Sequence, residues 1–76
     1  MKSDDKWVNL AKGIIRAEMT RRSITYDQLA ERLSAIGIEF TAVNLRNKVA
    51  RGGFSAVFFL QCLSAIGCTQ LHLGDA

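Results

Sequence analysis

The segment from Ile24 to Gly52 constrains the fold most strongly, because it predicts two short amphipathic helices joined by a turn that contains Gly37. The residues from Thr25 to Gln28 have the pattern of a capping box, which starts a helix. The later helix of this pair, the third along the chain, is predicted from Thr41 or Ala42 to Arg51, where Gly52 and Gly53 end it. Apolar residues at helical spacing predict a buried face on the earlier helix, the second along the chain, formed by Tyr26, Leu29, Ala30, Leu33 and Ile36.

Two more helices flank this pair, one predicted from Asp4 to Arg22 and the other from Ser55 to Ile66. The last helix is apolar on almost every side, and such a helix is either buried all round or covered in part by a partner. A central core helix and a dimer interface are both open alternatives. The second and fourth helices each close on Leu-Ser-Ala-Ile-Gly, which predicts left-handed glycines at Gly37 and Gly67.

Two residues of the first helix are unusual for a helix with a broad apolar face. Glu18 projects into that face, so its carboxylate needs a cationic or backbone partner if it is buried. Gly13 in mid-helix destabilises the helix by about 1 kcal/mol relative to alanine. Either the close approach of another helix or a tolerated defect explains this glycine.

Composition and charge support a single helical domain that spans residues 1–76. The hydrophobic content of 49% is too high for a disordered tail, and the chain contains no proline. No run approaches the roughly 20 apolar residues of a membrane span, and the first residues lack the apolar core of a secretion signal. The net charge of +3 suits a polyanionic partner. We expect an all-α, cytoplasmic protein that is not membrane-bound.

The residues that carry most catalytic and metal chemistry are scarce. Cys62 and Cys68 lack the paired clusters and histidine partners of a zinc site, and His72 is the only histidine. We expect two reduced thiols, no metal and no cofactor. The sequence offers no clustered carboxylates, no Ser-His arrangement and no phosphate loop, so we expect neither enzymatic activity nor a small-molecule substrate.

Two stretches resemble a known family. The residues from Ser23 to Ala30 are similar to the start of the second helix in the Cro/C1-type helix-turn-helix family, where Gly-Leu-Thr-Gln-x-x-Leu-Ala is common. Val49-Ala50-Arg51-Gly52 resembles the hydrophobic-Glu-Arg-Gly ending of that family's third helix. The resemblance covers Leu10 to Gly67 and implies a lambda-repressor-like bundle of four to five helices. The chain also resembles a group of short bacterial proteins of unknown function.

The chain departs from that family at three points. The turn between Leu33 and the third helix is longer than usual, which can change the angle of that helix. Tyr26 stands where the family often has a glutamine that contacts DNA. Met19 and Ala50 replace an arginine and a glutamate that often pair, so we predict that Met19 packs near Ala50.

The resemblance implies a transcriptional regulator that binds double-stranded DNA with its third helix. Asparagine and basic side chains, which read base edges and contact phosphates, lie on the outer side of that helix. We expect Asn44 and Asn47 at adenine, Lys48 or Arg51 at guanine or phosphate, and Val43 at a thymine methyl group. Arg46 lies near the inner stripe, where it can snorkel or pair with an acid. The predicted DNA-binding set is Tyr26, Arg32, Val43, Asn44, Arg46, Asn47, Lys48 and Arg51, and further basic residues expected at phosphates are Lys12, Arg16, Arg21 and Arg22.

A single small domain has little reach along DNA. We therefore expect a homodimer on two half-sites, formed through the fourth helix or the C-terminal tail. The alternative is a protein-interaction or dimerisation module that has the same fold and does not bind DNA. The long apolar fourth helix, the longer turn, and the acidic residues Glu31 and Glu39 favour that alternative.

Overall fold

A computed structural model describes residues 3–71 and residue 73, with side chains described from residue 5 onward. Over these residues the protein consists of four α-helices and contains no strand: α1 (Ser3–Arg21), α2 (Tyr26–Ala35), α3 (Ala42–Arg51) and α4 (Ala56–Ala65). The all-α prediction is confirmed, and each helix begins within one residue of its predicted start. Residue 72 and residues 74–76 of the predicted tail lie outside the described residues.

Three of the helices begin at a hydroxyl residue whose side chain caps them. Thr25, Thr41 and Ser55 have extended backbones, and each side-chain oxygen accepts a hydrogen bond from the amide three residues later, at 3.0 to 3.1 Å. At α2 the Gln28 side chain also accepts from the Thr25 amide at 2.9 Å, which confirms the predicted capping box. The starts of α2, α3 and α4 are therefore set by local sequence.

The predicted stop signal is confirmed at both of its copies. Gly37 and Gly67 have positive φ angles, and the amides of Ile38 and Cys68 each donate to the carbonyl five residues earlier at 2.9 Å. This is the Schellman pattern of hydrogen bonds. The same pattern ends α1, where the Ile24 amide donates to the Met19 carbonyl at 2.9 Å. Here the left-handed position is held by Ser23, with φ 55°, where the resembled family often has glycine.

The core lies where α2 packs against α3 and α4, and where α1 packs against α3 and α4. Six side chains are fully buried there: Ile15, Leu29, Leu33, Leu45, Val49 and Cys62. The prediction that Ile36 is buried is wrong, because this residue follows the last turn of α2 and is 53% exposed. α4 is not buried all round either, because its neighbours cover only the side that carries Phe58, Cys62 and Leu63.

The junction between α1 and α3 depends on two close contacts. Gly52 ends α3 with φ 72° and ψ −168°, and a Cβ added there would lie 2.3 Å from a methyl carbon of Val8. Lys12 Nζ donates to the Ala50 carbonyl at 2.8 Å.

Met19 is buried while Ala50 is exposed, so the predicted packing of Met19 near Ala50 finds no support. Among the described residues, no other helix places an atom within 4 Å of a Cβ built on Gly13, so close helix approach does not explain this glycine.

The buried acid of α1 has the cationic partners that its position requires. Glu18 is 5% exposed, and its carboxylate accepts from Arg21 at 3.0 Å and also from Arg22. The hydrogen bond from Arg22, opposed by burial, lowers the pKa of Glu18. Both partners lie in or just after the last turn of α1. The cluster therefore ties the end of α1 together and keeps Glu18 charged.

Candidate nucleic-acid interface

α3 presents its polar side to solvent because its apolar side is fully engaged. Leu45 and Val49 are completely buried, which fixes the rotation of the helix about its axis. Val43, Asn44 and Asn47 lie on the exposed side, and Val43 is 59% exposed. Arg51 is exposed at the end of the same side, and no acidic residue occurs anywhere in α3. We call the side formed by Val43, Asn44, Asn47 and Arg51 the α3 ridge.

Arg46 lies at the margin of the α3 ridge that faces α2. Its guanidinium carbon is 5.3 Å from the centre of the Tyr26 ring, within the range of a cation–π contact. No acid among the described residues forms an ion pair with Arg46, whose guanidinium group lies over the Tyr26 ring instead. Two residues of the predicted set, far apart in sequence, come together here. Arg16 of α1 lines the same groove as Tyr26, but no described contact joins Arg16 to Arg46 or to the ridge.

Lys48 lies at the opposite margin of the ridge. Its ammonium nitrogen is 5.2 Å from the centre of the Phe58 ring, and Phe58 belongs to the core. Since each residue advances about 100° around an α-helix, Arg46 and Lys48 point to opposite flanks. The ridge therefore lies between two cations, and each of them rests on an aromatic ring from a neighbouring helix. The predicted asparagines and cations do meet on one surface.

A surface depression of about 250 Å³ adjoins the Lys48 side of the ridge. Its lining is Phe40, Asn44, Asn47, Lys48 and Arg51. Phe40 comes from the lengthened turn between α2 and α3, and its ring meets Phe58 edge-on at 5.6 Å. Phe40 was not among the residues predicted for this site. The length of the turn before α3 could have indicated this position, because the extra residues of a longer turn must lie beside that helix.

The other predicted basic residues do not all reach this surface. Arg32 is exposed on α2, and no described contact brings it to the ridge. The expectation that Arg21 and Arg22 supply phosphate contacts is weakened, because both donate to Glu18. The Lys12 ammonium group donates a hydrogen bond to the Ala50 carbonyl. The basic residues that lie on the ridge or at its margins are therefore Arg46, Lys48 and Arg51.

The rest of the described chain contains few groups that could bind a metal ion or act as a nucleophile. Among these residues no group of three or more His, Cys, Asp or Glu side chains could hold a metal ion. Both cysteines are free thiols, and burial raises the pKa of Cys62 to about 12. A thiol with so high a pKa is a poor nucleophile at neutral pH. None of the described helices combines the length and the apolar character that crossing a membrane requires.

A second exposed surface lies on α4. Val57 is 64% exposed and Leu60 is 60% exposed on the side of the helix that faces away from the core. Beside them runs a groove of about 370 Å³, lined by Leu60, Leu63, Ser64, Gly67, Cys68, Thr69 and Leu71. We call this surface, formed by Val57, Leu60, Ser64 and Leu71, the α4 face. Apolar side chains grouped in this way usually mark a contact surface.

Fold and surface together define a small all-α protein with one exposed helix that carries amides and cations. The chain belongs to the family described as Domain of unknown function (DUF6471), whose model matches residues 7–71. That range includes the α3 ridge and the α4 face. No curated protein and no solved structure matches the chain. The family description names no function, so the resemblance to the Cro/C1-type family stays a prediction.

Proposed function

We propose that this protein binds double-stranded DNA and that α3 is the helix that enters the major groove. The observation that carries the proposal is the α3 ridge, whose asparagines lie between two cations held over aromatic rings. Asparagine can bond the adenine edge with its amide, and the valine methyl groups can contact a thymine methyl. Cations at both flanks match a helix that lies between two phosphate backbones.

The charges around the ridge support a polyanionic partner. α3 carries three cations and no acid, and the whole chain has a net charge of +3. Glu39, the acid nearest to the ridge in sequence, accepts a hydrogen bond from Ser34 Oγ at 2.9 Å, which holds its carboxylate at α2. In this proposal the protein is a transcriptional regulator in the cytoplasm, because a helix that reads a DNA sequence directs the protein to the genes beside that sequence.

The test is a titration of the protein onto a short random-sequence duplex at low and at high salt. We expect binding at low salt that falls steeply as salt rises, because binding releases cations from the phosphates and this release is less favourable at high salt. A preferred duplex is then selected from a random pool. Asn47→Ala should reduce the preference for that duplex over random DNA and leave the melting temperature almost unchanged, because Asn47 is exposed. Failure to bind any duplex at low salt would refute the proposal.

We propose further that the protein acts as a homodimer and that the α4 face is the contact between the two copies. From Gly52 to Gly74 the sequence contains no Asp, Glu, Lys or Arg, so the α4 face carries no charge. In a two-fold dimer a residue near the axis meets its own copy, and a charge there would meet a like charge. A neutral face on a protein with net charge is therefore suited to a second copy.

Substitutions at Leu60 test this dimer. We expect the parent to sediment as a dimer, and Leu60→Lys and Leu60→Glu to be monomers, because each places like charges across the axis. An equimolar mixture of the two variants should form a mixed dimer, since a lysine then meets a glutamate. Ile36→Lys is the matched control, as Ile36 is similarly exposed but lies outside the α4 face. A monomeric parent, or a Leu60→Lys variant that stays dimeric, would contradict the proposal.

A second candidate function is a protein-interaction module that does not bind DNA. The exposed α4 face favours it, because an apolar surface of this kind can equally contact a different protein. The two candidates separate in the salt titration. Dimerisation without binding to any duplex at low salt favours the interaction module, whereas salt-sensitive binding favours the DNA-binding protein.

A further inference from the structure

The depression beside the α3 ridge has the chemistry of an anion site. Each of its polar side chains, Asn44, Asn47, Lys48 and Arg51, can donate hydrogen bonds, and two of them are cations. No carboxylate among the described residues lines it. A negatively charged group would therefore find charge and donors there without a repelling neighbour.

The walls of this depression are held by the core. Phe58 is 3% exposed, and the ammonium group of Lys48 and the ring of Phe40 both contact its ring. Phe58 also packs against Phe54 at 5.4 Å between ring centres. Lys48 is half-buried as a result, while Arg51 is exposed. The side chain of Lys48, the cation nearest to the core, therefore has a restricted position. Less of its conformational entropy is lost when it binds an anion.

The polar residues that line the depression fall into two groups along α3, Asn44 and Asn47 nearer to the start of the helix and Lys48 and Arg51 in its last turn. In a helix that docks into the major groove, residues near its N terminus contact the base edges. Val43 and Asn44 lie in the first turn of α3, and Asn47 follows one turn later. Lys48 and Arg51 lie in the last turn, further from the helix start. Long cationic side chains at that end of α3 can reach the phosphates of the DNA backbone that borders the major groove.

We infer that this depression binds one backbone phosphate of the duplex, with Lys48 and Arg51 donating to its oxygens and Phe40 packing against the adjoining sugar. The inference rests on the proposed function and assigns separate roles to residues that the sequence analysis left open. Lys48 and Arg51 provide affinity for any sequence. Val43 and Asn47 provide the preference for one sequence over another.

The experiment compares Lys48→Gln with Asn47→Ala on the selected duplex and on random duplex over a series of salt concentrations. Lys48→Gln should weaken binding to both duplexes by a similar factor. The slope of log K against log salt should fall by at most about 0.9, the value for one lost phosphate contact, because Arg51 still contacts the same phosphate. Asn47→Ala should leave the slope unchanged and reduce the ratio between the two affinities. Arg51→Gln, at an exposed position, is the second charge variant and should behave like Lys48→Gln.

Thermal unfolding of each variant shows whether it folds. A parent that binds no duplex refutes the proposed function and this inference with it. A parent that binds, combined with Lys48→Gln and Arg51→Gln variants that keep the full salt slope or change the affinity ratio, refutes the inference alone. In that case the two cations would contact bases rather than phosphate.

Discussion

Gly52→Ala is expected to destabilise the protein by about 3 kcal/mol or more, since two independent effects add at this position. The backbone of Gly52, with φ 72° and ψ −168°, occupies a region that is almost restricted to glycine. The new Cβ would also lie 2.3 Å from the Val8 Cγ1 atom, so α1 or the end of α3 would have to move. Chemical denaturation followed by circular dichroism measures the loss.

The chain offers a matched control for this prediction. Gly13 lies inside α1, and beyond the adjoining backbone of that helix no described atom is within 4 Å of a Cβ built on it. Gly13→Ala should therefore stabilise the protein by about 1 kcal/mol, the difference in helix propensity between the two residues. A combined Val8→Ala and Gly52→Ala variant should recover the steric part of the loss and retain the backbone part. A Gly52→Ala protein as stable as the parent would show that α1 does not approach Gly52.

Local sequence patterns were sufficient to predict where the helices begin and end. Thr25 with Gln28, and the repeated residues before Gly37 and Gly67, act through hydrogen bonds within a few residues of themselves. Such signals depend little on the rest of the fold. The buried side of α3 followed from the spacing of Leu45 and Val49, and both are fully buried. The predicted ridge therefore lies where the sequence analysis placed it.

Contacts between distant segments could not be predicted in the same way. The Arg46–Tyr26 contact and the Lys48–Phe58 contact depend on how α3 lies against α2 and α4, and helical spacing does not contain that information. The exposure of Val57 and Leu60 could not be predicted for the same reason, since it depends on which sides of α4 the other helices cover. An apolar helix is buried only as far as its neighbours reach, and a small domain has few neighbours to cover it.

Leu45→Ala is expected to destabilise the protein by about 2–5 kcal/mol, because it leaves a cavity at a fully buried position. A domain of this size has a total stability of roughly 4–11 kcal/mol, so the variant would lose a large part of it. The denaturant midpoint should fall and the slope of the transition should stay the same. Val43→Ala, on the exposed side of the same helix, should change stability by no more than about 0.5 kcal/mol.

The contrast between these two variants also tests the premise of the DNA-binding proposal. If Leu45 lies in the core and Val43 faces solvent, then Asn47 faces solvent too, because α3 is a single continuous helix. A Leu45→Ala variant should then lose DNA binding only as far as it unfolds, while Asn47→Ala should lose sequence preference with its fold intact. A small loss for Leu45→Ala together with a large loss for Val43→Ala would place the ridge inside the protein, where no duplex could reach it.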